Sequence, residues 1–125
     1  MTSRTIEVPG TPRWVWLILL AALLLRIVVA VIQVADPLNT ARFLPDDAYY
    51  YFIPVRNLVE GHGVTFSGGT PTNGFHPLWF ALLIPVFALG GPQAILLALC
   101  LEGLLGVAAA YVLWWTVRRL VKNGA

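Results

Sequence analysis

Asp46 and Asp47 are the only adjacent acidic pair in the chain, and Arg56, His62, Asn73 and His76 follow them in one polar stretch running from Pro45 to Trp79. Two neighbouring carboxylates can divide the work of a general base and a cation ligand. Transfer of a group to a hydroxyl acceptor needs a base for the departing proton, and a partly buried carboxylate can be that base. A phosphate leaving group needs positive charge opposite it, from a divalent metal ion held by Asp46 or Asp47 or from an arginine. The plainer use of the same residues is to begin a helix, for which Pro45-Asp46-Asp47 is an ordinary signal, with acidic groups at the positive end of the helix dipole. Spacing alone leaves both uses open. His62 and His76 lie fourteen residues apart in turn-rich sequence and, with an aspartate, match no standard metal-ligand spacing.

The elements that must hold this stretch are apolar. The chain has 125 residues, of which 58% are hydrophobic and 11% charged, and its mean hydropathy is +0.78. That composition belongs to an integral membrane protein. The net charge of +2 does not mark a nucleic-acid surface, because the basic residues are scattered or sit at the ends of apolar runs, where they act as topology signals. The single cysteine, Cys100, lies within an apolar run, which excludes an intrachain disulfide or a cysteine-based zinc cluster and reads as a structural thiol.

Residues 1–13 read as a short cytoplasmic tail. Trp14 to Val34 is interrupted only by Arg26 and Gln33 and is long enough for a transmembrane helix. It is too long for a typical signal-peptide core and lacks a convincing cleavage site. Asp36-Pro37 stops it, and Leu38 to Leu44 reads as a connecting loop. Residues 46–60 form an amphipathic helix, with Ala48, Tyr51, Phe52, Val55, Leu58 and Val59 on one face and Asp47, Tyr50 and Asn57 on another. This helix is expected to lie along the membrane surface, kinked or broken near Tyr50 to Ile53 by Pro54. Tyr49, Tyr50, Tyr51 and Phe52 suit either interfacial anchoring or contact with sugar faces. Gly61-His62-Gly63 ends the helix, and Val64-Thr65-Phe66 before Ser67-Gly68-Gly69 reads as an extended segment and a turn.

Residues 78–91 form a short apolar helix, and 93–117 a second full span followed by a cytoplasmic tail at 118–125. Arg118, Arg119 and Lys122 behind the second span and Arg4 and Arg13 before the first all favour the cytoplasmic side, so both termini are expected there. The fold expected is thus all-α: two full transmembrane helices flanking an external loop of residues 35–77, with an amphipathic juxtamembrane helix and a short re-entrant or interfacial apolar helix. Three true crossings is the alternative. Arg26 and Glu102 are the only charges inside the two spans, fall at similar depth and can pair. Gly103, Gly106 and Ala110 give the small-residue spacing that lets helices approach closely.

Asp46-Asp47 after the first span, Arg56-Asn57-Leu58 leading to Gly61-His62-Gly63, and Pro71-Thr72-Asn73-Gly74-Phe75-His76-Pro77-Leu78-Trp79 together resemble the first external loop of the GT-C superfamily of polytopic glycosyltransferases. The likeness is to bacterial relatives of the protein mannosyltransferases and of the aminoarabinose and arabinofuranosyl transferases, and it runs from the first span to about Arg119. It implies a polyprenyl-phosphate-linked sugar donor, with transfer on the external face of a bacterial inner or plasma membrane by an inverting single displacement. The base maps onto Asp46 or Asp47.

Arg56, His62, Asn73 and His76 become candidates for binding donor phosphate or acceptor sugar. For Arg56 the plainer role is an ion pair with Glu60, and for the histidines and Asn73 it is capping turns. Members of that superfamily commonly have many more spans. The expectation is therefore the N-terminal part of an enzyme, not active alone, whose missing helices come from a membrane-protein partner. The rival reading is a small non-catalytic membrane subunit that binds such a partner.

Overall fold

The computed structural model describes residues 10–123, in which five α-helices follow one another and no strand occurs among the described residues. Helix α1 spans Arg13–Val34 and α5 spans Ala94–Asn123. Between them lie α2 (Pro37–Phe43), α3 (Asp46–Val59) and α4 (Pro77–Gly90). Two helical stretches are long and apolar enough to cross a membrane: α1, and the run Pro77–Val121 that takes in α4 and most of α5. The large apolar side chains that both expose, such as Leu17, Ile18 and Leu25 on α1 and Val112 and Leu113 on α5, are a surface suited to lipid.

Helices α1 and α5 pack antiparallel. Near the start of α1, Trp16 stacks on Tyr111 at a centroid distance of 5.2 Å, and Thr11 Oγ1 lies 3.3 Å from the Tyr111 hydroxyl. Arg118 covers the Trp114 ring and donates to the Gly10 carbonyl at 3.3 Å, while Arg119 lies 3.9 Å over Trp115. Ten residues further along α1, Arg26 rests on Gly103 and Gly106 of α5. The beginning of α1 and the end of α5 therefore share one end of the molecule. Cysteines replacing Trp16 and Tyr111 are expected to be joined by a short bifunctional thiol reagent in membranes, and a cysteine at Val121 to label from the same side as one at Thr11. Labelling from opposite sides would overturn the hairpin.

Local chemistry reshapes three expected segments. Leu38 to Phe43 of the expected loop is helical, because Asp36-Pro37 both stops α1 and starts α2: the Asp36 carboxylate accepts from Leu38 N–H at 2.8 Å, and Pro37 takes the first helical position. Thr40 Oγ1 donates to the Gln33 carbonyl at 2.8 Å and Gln33 Nε2 to the Phe43 carbonyl at 3.2 Å, so α2 folds back and satisfies the open end of α1. Helix α3 runs unbroken through Pro54. The residues at 118–123, expected as part of a tail, continue α5, since no glycine or proline intervenes before Gly124. The N-terminal tail expected at 1–13 lies outside the described residues except for 10–13.

The apolar face of α3 does not lie free along a surface; it is packed on α4. Phe52 and Val55 of α3 share a buried cluster with Phe80, Leu83 and Phe87 of α4 and with Ala94 and Ala98 at the start of α5. Gly91 (φ +47) ends α4, and one turn of 3-10 helix leads into α5. At this tight corner a Cβ on Gly90 would already meet Leu97 at 3.1 Å and Ala94 at 3.3 Å. With 14 residues, α4 is roughly 21 Å long, short of the ~30 Å of a bilayer's hydrocarbon.

Candidate functional site

The first turn of α3 carries Asp46 and Asp47, and the helix aims them differently. A cavity of about 1150 Å³ lies between α1, the α2–α3 corner and α5, and Asp47 lines it while Asp46 does not. Its walls are largely apolar, from Ala22, Leu25, Val29, Phe52, Leu99 and Leu105, and its polar lining is Arg26, Gln33, Asp47, Tyr51 and Glu102. Tyr51 stands four residues after Asp47, one turn further along the same face. Both aspartates are exposed to solvent or to the cavity.

His76 meets this site through Tyr51. The Tyr51 hydroxyl shares a hydrogen bond with His76 Nδ1 and accepts from the His76 backbone N–H at 3.4 Å, and the two rings stack with an interplanar angle of 10°. His76 also holds the position just before α4, where its side chain makes no capping bond to the helix. The Tyr51–His76 contact thus pins the far end of the 61–76 loop to the helix bearing Asp47. Converting Tyr51 to Phe keeps the ring and removes the hydroxyl. Its loss is expected to weaken the loop's attachment by about 1 kcal/mol. Faster proteolysis at Ser67 to Gly69 would report it, and an unchanged cleavage rate would show that the loop is held elsewhere.

The near end of the loop is held by different bonds. Helix α3 closes with Gly61 at φ +85, with Gly61 N–H donating to Leu58 O at 3.1 Å and His62 N–H to Asn57 O at 2.8 Å. A side chain at Gly61 would strain that left-handed turn. Asn57 Nδ2 donates to the Thr65 carbonyl at 2.7 Å, and the buried Thr65 hydroxyl accepts from Gly68 N–H at 3.1 Å. Thr65 faces Pro71 in a single antiparallel bridge, which is the extended segment and turn expected there.

The other candidate residues do not converge on Asp47. Arg56 stands nine residues after it, about 180° around α3, and lines a separate hollow of about 500 Å³ with Glu60, Phe87, Gly91 and Pro92. Arg56 and Glu60 form no ion pair within 4.0 Å; the Glu60 carboxylate is instead 3.7 Å from His62 Nδ1, at the exposed end of the helix. Asn73 is exposed in the loop. Among the described residues no three His, Cys, Asp or Glu side chains gather as a metal site, so Asp46 and Asp47 offer at most two ligands.

Arg26 and Glu102 line the Asp47 cavity, yet neither makes an ion pair within 4.0 Å among the described residues. Their expected pairing gives way to packing of Arg26 on the glycines of α5. Gln33 is a member of the cavity that the sequence did not single out, and Tyr51 stood out only as one of four aromatic rings suited to anchoring or to sugar contact. For Tyr51 the signal was present in its four-residue spacing from Asp47, but an aromatic run offers several rings at once. Comparison with protein families, with characterised proteins and with solved structures finds no match for this chain.

Proposed function

We propose that the chain is the N-terminal part of a GT-C-like membrane glycosyltransferase that takes a sugar from a polyprenyl-phosphate donor on the external face of a bacterial inner or plasma membrane. The observation that carries this reading is a carboxylate, Asp47, on the wall of an apolar cavity between two membrane-length helices. Such a cavity suits an amphiphile, whose tail lies among Leu25, Val29 and Leu105 while its head meets the polar lining. The motifs from Asp46 to Trp79 that resemble the superfamily support it independently.

In this mechanism the acceptor hydroxyl attacks the anomeric carbon as the bond from that carbon to the phosphate oxygen breaks. Asp47 takes the hydroxyl proton, and the polyprenyl phosphate leaves with the electron pair. Asp46 stays at the solvent side of the first turn. A divalent cation would be held by Asp46 and Asp47 and would offset phosphate charge. Helix α4, too short to cross, is a re-entrant or interfacial element that positions α3. Both termini are cytoplasmic in this topology, because Arg13, Arg118 and Arg119 gather at one end with the Trp and Tyr residues.

The second reading, a small subunit bound to a larger membrane partner, is favoured by one observation. Arg26 and Glu102 stand in membrane-length helices without an ion-pair partner among the described residues, and such groups usually meet further helices or a polar cavity. The two readings meet in an enzyme whose remaining helices pack beside this unit. Sugar transfer by the assembled protein, measured with Asp47 changed to Asn, tests the leading one.

A further inference from the structure

The proposed base leaves unexplained the two charges carried inside the spanning helices. Arg26 lies eight residues from the Val34 end of α1, roughly 12 Å along the helix, at a depth where acyl chains solvate no ion. Its seat is specific. A Cβ on Gly103 would lie 3.5 Å from Arg26 Cβ, and a Cβ on Gly106 would lie 3.3 Å from both Cζ and Nη1 of the guanidinium. Glycine at 106 therefore lets the guanidinium rest against the α5 backbone, and no protein acceptor within hydrogen-bond distance takes its N–H groups among the described residues. Glu102, one residue before Gly103, lines the same cavity and also lacks a partner among the described residues.

A ligand that satisfies both groups must bring an acceptor for Arg26 and a hydroxyl or ammonium donor for Glu102. A bare phosphate brings only the first and is repelled by Glu102. A glycosyl phosphate brings both: its phosphodiester carries one negative charge, and the sugar hydroxyls donate to the carboxylate. A bilayer phospholipid holds its phosphate outside the hydrocarbon, above Arg26, so the head must belong to an amphiphile that enters the cavity.

We infer that Arg26, on its Gly103–Gly106 seat, binds the phosphate of a lipid-linked sugar phosphate, and that Glu102 accepts from its sugar hydroxyls and so separates the loaded lipid from the spent one. This rests on the transferase reading for the identity of the amphiphile. Once the sugar leaves, Glu102 loses its donors and faces a phosphate monoester of higher charge. The lost bonds and that repulsion favour release of the product.

The test is native mass spectrometry of the full chain in mild detergent with farnesyl phosphoglucose, farnesyl phosphate, farnesol and phosphatidylglycerol as probes. Farnesyl phosphoglucose is expected to bind at least fivefold more tightly than farnesyl phosphate, and farnesol weakly. Arg26→Gln and Gly106→Leu are each expected to lower retention of both phosphate probes at least tenfold without changing farnesol. Glu102→Gln is expected to remove the preference for the glycosylated probe. The thiol crosslink between cysteines introduced in place of Trp16 and Tyr111, formed as readily as in the parent, reports that each variant keeps its helix pair.

Retention insensitive to Arg26→Gln overturns the inference, as does phosphatidylglycerol binding as tight as that of farnesyl phosphoglucose. An Asp47→Asn chain that retains farnesyl phosphoglucose normally supports the site. If the predicted retention pattern appears but no transfer is found in the assembled protein, the transferase reading fails while the site stands.

Discussion

Asp47→Asn is expected to lower sugar transfer by the assembled protein by about 10²- to 10⁴-fold, the usual contribution of a positioned general base, while Asp46→Asn lowers it less than about tenfold. The two residues are neighbours in the first turn of α3 and share its dipole, so removing either charge costs the helix a similar amount, about 0.3–1 kcal/mol. Asparagine also preserves size. What differs between them is direction: Asp47 is on the cavity wall and Asp46 is not. The ratio of the two effects therefore isolates chemistry from folding. Turnover rates in vesicles at saturating donor, with insertion verified by protease protection, measure that ratio. Equal losses would point to a shared metal ion rather than a single base, and full activity in Asp47→Asn would remove Asp47 from the reaction.

Much of the scaffold was legible because membrane spans have a coarse signal. The α1 run and the basic residues flanking both spans predicted a helix pair sharing one end, and the Trp16–Tyr111 stack is that pairing in detail. The amphipathic face of α3 was readable from its spacing, but its destination was not. A sequence shows that Phe52 and Val55 want burial, not that α4 rather than a lipid surface covers them. The difference at α2 has a similar origin: Asp-Pro is a stop and a start at once, and only the bonds from Thr40 and Gln33 across the corner decide that the chain resumes a helix.

For the site, the acidic pair was visible as a unit, whereas the choice between its members depends on about 100° of helix rotation. Arg56 is close to Asp46 along the chain, and the same rotation sends it to the opposite face from Asp47. Arg26 and Glu102 were legible as equal-depth charges. That they leave each other unpaired was not, because the glycine seat of Arg26 depends on which face of α5 meets α1.

The packing of α3 on α4 leads to the other large effect. Leu83 and Val55 are each 0% exposed, and they sit at the centre of the cluster joining α3, α4 and the start of α5. Leu83→Ala would leave a void there and is expected to cost about 2–5 kcal/mol of that docking. Neither aspartate belongs to that cluster, so any effect on chemistry must travel through the placement of α3. Displacement of a catalytic group by about 1 Å can cost about 10²-fold, and transfer is expected to fall to about that extent. The α1–α5 pair holds separately through Trp16, Tyr111 and the Arg26 seat. The thiol crosslink between cysteines placed at those two aromatic positions should therefore form in Leu83→Ala as readily as in the parent. Cleavage at the Ser67 to Gly69 turn should accelerate, because the loop is bonded to α3 at Asn57 and Tyr51 and moves with it. Leu89→Ala on the same helix is the control: with Leu89 89% exposed, its truncation removes few contacts and should leave transfer and cleavage unchanged. If Leu83→Ala behaved like Leu89→Ala, the position of Asp47 would be set by the α2 corner alone, through Tyr49 and its bond to the Thr40 carbonyl.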